Sequence, residues 1–248
     1  MEHLQYVAVL FVIFLLAGSV KGAVGLGLPT TALALMTLML DPRTAISLVL
    51  IPILFSNFWQ MYRSGDTMRA FRTYLPLGLS LMVMVAVTIV LTANASERFL
   101  LAMLGATMLV FVAVSIFDRV PPIPEGRDRQ AQIVAGGVAG ILGGLTSVWA
   151  PPMAIYLMSR RTPKAEFVRA TGLLFFLGSI PLVAGYISQG YMTGRGFLIS
   201  LSLVVPTFLG FSIGEHLRGR LSERAFRYFV LLVFAVMGLN LIRKAVLA

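Results

Sequence analysis

Gly18-Ser19-Val20-Lys21-Gly22-Ala23-Val24-Gly25-Leu26-Gly27-Leu28-Pro29 lies between two uncharged apolar runs, Leu4 to Val20 and Leu28 to Leu40. Four glycines and a closing proline break a helix here, because glycine loses most backbone entropy on ordering and proline offers no N–H to the preceding turn. The pattern returns in Gly143-Gly144-Leu145-Thr146-Ser147-Val148-Trp149-Ala150-Pro151-Pro152, where the run Ile133 to Val148 gives way to Pro151 to Met158. The run after each break rises only about 12 to 20 Å, too little to cross ~30 Å of hydrocarbon. Each pair of runs therefore reads either as a re-entrant hairpin or as one crossing made of two half-helices. Pro29 and Pro151 suit the first turn of the helices that follow.

The rest of the chain supplies the apolar setting that makes these breaks costly. Of 248 residues, 58% are hydrophobic and 12% charged, with a mean hydropathy of +0.90, whereas a soluble domain carries roughly 25% charged residues. Further apolar runs, uncharged but for Arg227, span Ile46 to Met61, Tyr74 to Thr92, Phe99 to Phe117, Ala170 to Ser188, Gly196 to Gly214 and Phe226 to Ile242. The expected fold is an all-α, polytopic membrane bundle with broken or re-entrant helices. The link Asp118 to Gln130, with Pro121-Pro122, Pro124 and several charges, divides it into an N-terminal repeat over 1–117, a linker over 118–130 and a C-terminal repeat over 131–248. No soluble domain is expected. Leu4 to Val20 lacks a preceding basic segment and leads into more apolar sequence, so it is not read as a signal peptide.

Charge sets the orientation. Arg63, Arg69 and Arg72 fall on one side, with Arg119, Arg127 and Arg129, then Arg160, Arg161, Lys164 and Arg169, then Arg218, Arg220, Arg224 and Arg227. The other side receives Arg43, Arg98, Arg195, Arg243 and Lys244. The positive-inside rule places the richer side in the cytoplasm of a bacterial inner membrane and both termini outside it. The net charge of +10 is then explained by orientation and by contact with anionic lipid headgroups, without invoking nucleic acid.

The two halves also resemble each other. Gly18, Val20, Gly22 and Gly25 align with Gly136, Val138, Gly140 and Gly143, and Ser96-Glu97-Arg98 aligns with Ser222-Glu223-Arg224. With an odd number of elements per half, the second copy begins on the opposite face, so the repeats are expected to be inverted. Inverted repeats with discontinuous helices are the build of many secondary transporters, whose sites lie at the repeat interface near mid-membrane. A lone glycine more often serves close helix packing. Two matched breaks, each closed by proline, call for non-helical backbone that lines a cavity or is buried in protein.

Such a cavity would bind an anion. Two half-helix N-termini carry partial positive charge and unpaired N–H donors. Lys21, deep in apolar sequence, costs about 2.5 kcal/mol or more unless it reaches water or a partner. It either snorkels to an interface or pairs with an anionic substrate. Asn57 and Gln60, spaced to share a helical face beside Trp59, bond either to other helices or to that substrate. Pro52, upstream of them, reads as a kink. Thr146, Ser147 and Trp149 add hydroxyl and indole donors; Tyr156 and Thr171 are weaker candidates. The candidate substrate site thus comprises Lys21, Gly22, Gly25, Pro29, Asn57, Gln60, Thr146, Ser147, Trp149 and Pro151.

Several chemistries lack support. There is no cysteine, and His3 and His216 are the only histidines, so a thiolate, zinc or haem centre is not expected and no cofactor is called for. The acids Glu2, Asp41, Asp66, Glu97, Asp118, Glu125, Asp128, Glu166, Glu215 and Glu223 map to loops or element ends, which leaves no carboxylate relay at mid-membrane. No Walker loop, nucleophile elbow or H-E-x-x-H helix is present, so an enzyme or ATP-driven pump is not expected. An anion channel remains a rival to a carrier, as do a permease for a non-sulfur organic anion and, less favoured for want of catalytic acids and histidines, an intramembrane enzyme or assembly scaffold.

The glycine-rich first break with Lys21-Gly22 and Pro29, the segment Asn57-Phe58-Trp59-Gln60, the run Gly143 to Pro152, and Gly210-Phe211-Ser212-Ile213-Gly214-Glu215 with Phe226-Arg227 resemble the sulfite exporter TauE/SafE family over nearly the whole chain. Ala150 departs from the glycine expected before the paired prolines, and the fourth run lacks the glycine pattern of its counterpart Gly196 to Gly214. The resemblance implies a bacterial permease that moves sulfite, sulfoacetate or related organosulfonates, usually outward.

Overall fold

Pro42 at the start of a helix, with Asp41 ahead of it, shows how local chemistry sets the helix boundaries of this chain. Asp41 caps that helix by accepting a bond from the Thr44 N–H at 2.9 Å. In a computed structural model describing residues 2–117, 122–124, 126–218 and 223–247, the chain forms eleven helices among those residues and no strand. They are α1 (Glu2–Val24), α2 (Leu28–Met36), α3 (Pro42–Ser64), α4 (Thr67–Leu91), α5 (Glu97–Phe117), α6 (Asp128–Thr146), α7 (Ala150–Ser159), α8 (Lys164–Ser188), α9 (Gly194–Ser202), α10 (Val204–Arg218) and α11 (Glu223–Leu247). Of the linker, residues 118–121 and 125 lie outside the described residues, as do 219–222.

Among the described residues, five segments are long and apolar enough to cross a membrane: α1, α3, α4, α8 and the α9–α10 pair over Gly194–Leu217. Their outward faces carry Val7, Leu16, Leu79, Val83 and Leu209, each about half exposed, as lipid-facing positions require. The run Gly196 to Gly214, read from sequence as one element, is two helices that meet at Leu203.

Both breaks are shorter than their sequences suggest. α1 stays helical through Gly18, Lys21 and Gly22, and the non-helical backbone is confined to the segment around Gly25 and Gly27, at φ 84° and 97°. These values lie in the left-handed region that glycine enters without steric penalty. α6 likewise runs through Gly136, Gly140, Gly143 and Gly144 to Thr146. Here Ser147 takes the left-handed conformation at φ 55°, tied by the Thr146 hydroxyl, which accepts from the Val148 N–H at 3.2 Å.

The helical glycines bring backbones together. A Cβ on Gly210 or Gly214 of α10 would stand 2.0 Å from the carbonyl oxygen of Leu15 or Ser19 in α1. One on Gly18 or Gly22 would stand 2.2 or 2.1 Å from those of Thr207 or Phe211 in α10. α1 thus packs along α10, and α6 packs along α4, where Gly136 meets the Leu77 carbonyl. α3 packs on α8 and α5 on α11, while α2 touches α11 and α7 touches α5.

Prolines inside helices leave carbonyls to satisfy, and partners are present. Pro52 cannot bond the Leu48 carbonyl four residues earlier, and the Ser200 hydroxyl of α9 donates to it at 2.8 Å. α3 therefore continues through Pro52. Among the long helices the non-helical backbone instead falls at Tyr74 in α4, two residues before Pro76. The C-terminal ends of the short helices are met by cations, which oppose the negative end of a helix dipole. Lys244 donates to the Thr37 carbonyl beyond α2 at 2.8 Å, and Arg160 at the end of α7 pairs with Asp128 at 3.0 Å.

Candidate functional site

Lys21 occupies the last turn of α1 and is 2% exposed, so it does not snorkel. Its ammonium donates to Ser56 Oγ at 3.2 Å and to Asn57 Oδ1, both on α3. Asn57 Nδ2 donates in turn to Ser179 Oγ on α8 at 3.1 Å. Among the described residues the hydrogen-bond partners of this buried charge are neutral side chains. Dipoles solvate it without neutralising it, and a buried charge without a counter-ion is costly.

The two short helices begin beside this ammonium. Gly27, Leu28, Pro29 and Thr30 at the start of α2 and Val148, Trp149 and Ala150 at the start of α7 line one cavity with Lys21, Leu26, Asn57 and Phe175. Neither helix start carries a side-chain cap, so its orphan N–H groups are not spent on one. Pro29, Pro151 and Pro152 offer no N–H, so among the first-turn residues that line the cavity Leu28, Thr30 and Ala150 are the ones that carry one. Its volume is about 10 Å³, room for a single water. The Trp149 and Phe175 rings, 6.1 Å apart, form part of its wall and would have to yield to admit an anion of four heavy atoms.

A second, larger space opens one helical step along α3. It encloses about 560 Å³ and is lined by Gly25, Trp59, Gln60, Arg63, Ser64, Ala165, Val168, Arg169, Phe211 and Glu215. At the opposite end of α3, roughly 30 Å away at ~1.5 Å per residue, the start of the helix is clasped. Arg43 donates to the carbonyls of Ala93 and Ala95, both at 2.7 Å, and its guanidinium lies 4.7 Å from the Tyr191 ring. A large space thus lies at the Arg63 end of α3, whereas contacts of Arg43 hold the opposite end.

The candidate residues divide among these places. Lys21, Pro29, Asn57 and Trp149 line the small cavity, whereas Gly25 and Gln60 line the large one. Gly22 lies against the Phe211 backbone and lines neither cavity. Thr146 and Ser147 are fully buried, and their hydroxyls donate to the carbonyls of Leu142 and Thr146, so they secure the break. Pro151 is buried in the first turn of α7 behind Ala150. Tyr156 donates to Asp128 at 2.9 Å, and Thr171 accepts from Gln60 at 3.2 Å. The sequence reading passed over Ser56, Phe175 and Ser179; Ser56 was signalled only by standing next to Asn57.

The family model described as sulfite exporter TauE/SafE matches residues 10–241. The chain belongs to the sulfite exporter TauE/SafE family. The match runs from α1 into α11 and so takes in both breaks and both cavities. No curated protein and no solved structure matches the chain. As a member of a membrane transporter family with several apolar helices, this TauE/SafE protein is a membrane protein.

Proposed function

We propose that this TauE/SafE protein is a secondary carrier, not an enzyme, that exports small sulfur-containing anions such as sulfite, sulfoacetate or other organosulfonates. The observation that carries this reading is the meeting, at one cavity, of two uncapped helix starts and a buried lysine whose hydrogen-bond partners are neutral side chains. Each element attracts negative charge, and together they would hold an anion that supplies Lys21 with its counter-ion. Asn57 and Trp149 would position the anion. Thr146, Ser147 and Pro151 would act by holding the second break in shape, and Gly22 by letting α1 approach α10.

The halves act as inverted repeats in this reading. Support comes from the packing: exchanging α1 with α6, α2 with α7, α3 with α8, α4 with α9–α10 and α5 with α11 turns α1–α10 into α6–α4, α1–α2 into α6–α7, α4–α8 into α9–α10 against α3, and α2–α11 into α7–α5. It also maps α3–α8 and α5–α11 onto themselves, whereas α2–α3 and α5–α6 have no such counterpart among the described residues. Rocking of one half against the other would part Arg43 from the Tyr191 ring as the space at Arg63 closes. The Arg63 end faces the cytoplasm and both termini face outward, as the basic turns require. Partners are the anion and membrane lipid.

Purified protein in liposomes should show saturable sulfite uptake accelerated by sulfite on the far side, since counterflow requires a carrier. Single-channel currents in place of counterflow would support a channel. In cells, a cysteine placed beside Gln5 should react with an impermeant reagent added outside, while one beside Arg161 should not. The reverse pattern contradicts the orientation.

A further inference from the structure

The large space at the Arg63 end holds more chemistry than a passage needs. Arg63 on α3 and Arg169 on α8 both line it, one from each half of the chain. Arg63 Nη1 donates to both oxygens of Glu215 on α10, at 2.9 and 3.2 Å, and its guanidinium stands 5.8 Å from the Trp59 ring. Arg169 Nε donates to the Ser64 carbonyl at 3.3 Å, and its Nη1 lies 3.6 Å from Asp66 Oδ2. Both carboxylates are solvent-reachable, with Glu215 35% and Asp66 65% exposed at the side chain. Exposed ion pairs of this kind hold weakly and exchange partners.

Gln60 adds an independent pointer. It is 5% exposed and lines the same space, its amide nitrogen donates to Val168 O and Thr171 Oγ1, and its Oε1 has no partner. A buried acceptor calls for a donor, which the hydroxyl of a protonated oxoanion or its hydration water provides.

We propose that this space is a second anion site, where Arg63 and Arg169 capture a small hydrated oxoanion before it reaches Lys21. Glu215 is the resident counter-ion that the arriving anion displaces from Arg63. The order of the two sites rests on the transport reading, but the capture of anions by the arginines does not. A guanidinium presents a fork of donors that suits oxoanions, and a cleft carrying two of them raises the local anion concentration.

The two tryptophans allow a direct test on the full-length protein. Trp149 is buried, whereas Trp59 is 38% exposed and borders the capture site, so a Trp149→Phe background reports on that site alone. Iodide quenching of Trp59 should fall about threefold relative to neutral acrylamide in Arg63→Gln/Arg169→Gln, and rise about twofold in Glu215→Gln. Millimolar sulfite should suppress the iodide quenching. Ion pairs that only clamp helices would make all of these variants move the same way. That result, or iodide-to-acrylamide ratios unchanged by the substitutions, overturns the proposal. Sulfite counterflow measured on the parent protein, with Trp149 in place, reads the transport function separately. Absent flux with the opposing quenching shifts intact would defeat that function and leave the capture site standing.

Discussion

Lys21→Met should reduce sulfite counterflow and binding about 100-fold while leaving the protein folded. The anion would lose a buried charge-assisted contact, and loss of such a partner costs about 3 kcal/mol, or roughly two orders of magnitude in affinity. Folding should be spared because two effects offset each other. Removing an ammonium from apolar surroundings recovers about 2.5 kcal/mol, and leaving Asn57 Oδ1 without its donor costs about 1 to 3 kcal/mol. Melting in detergent should therefore stay within a few degrees of the parent. Unchanged sulfite affinity in a folded Lys21→Met protein would reject the role given to this residue.

Gly214→Val should be the most damaging substitution for stability. Its new Cβ would lie 2.0 Å from the Ser19 carbonyl oxygen and 2.8 Å from the Ala23 nitrogen, both backbone atoms that cannot rotate aside. α1 and α10 would have to separate along the seam that Gly18, Gly22 and Gly210 share. Overpacking of this kind costs about 3 kcal/mol, equivalent to a melting temperature lower by about 6 to 12 °C. Gly137→Ala is the matched control, since its Cβ would meet Ser80 at an ordinary 3.5 Å. If Gly214→Val melts with the parent, the seam is not held by backbone contact.

Those seam glycines also show how far the sequence can be read. Glycine density located both breaks, because few other patterns place so many weak helix formers and a proline inside apolar sequence. Density did not fix the extent of the breaks. Gly18 and Gly22 serve packing against α10, and tertiary contact keeps α1 helical through Lys21. The two roles of glycine look identical until the opposing helix is known. The division at Leu203 is a different case: Pro206, in the first turn of α10, marks it within the apolar run, because proline has no N–H to bond the preceding turn.

Within the site, Lys21 and Asn57 stood out as polar residues in apolar runs, and their contact follows from the cost of burying each alone. Ser179 and Phe175 gave no such signal, since a serine or phenylalanine in an apolar helix is ordinary until its neighbour is known. Arg63 and Glu215 looked like orientation charges at helix ends. Only the bundle brings them across the opening from separate halves.

The central claim is that the starts of α2 and α7, with Lys21 between them, hold the anion. Selenite, a heavier relative of sulfite, tests it directly through anomalous diffraction from crystals soaked in it. A selenium peak in the cavity lined by Lys21, Pro29, Asn57 and Trp149, absent from Lys21→Met crystals, is the predicted result. A peak confined to the Arg63 space, or one at the cavity that persists without the lysine, would contradict the account.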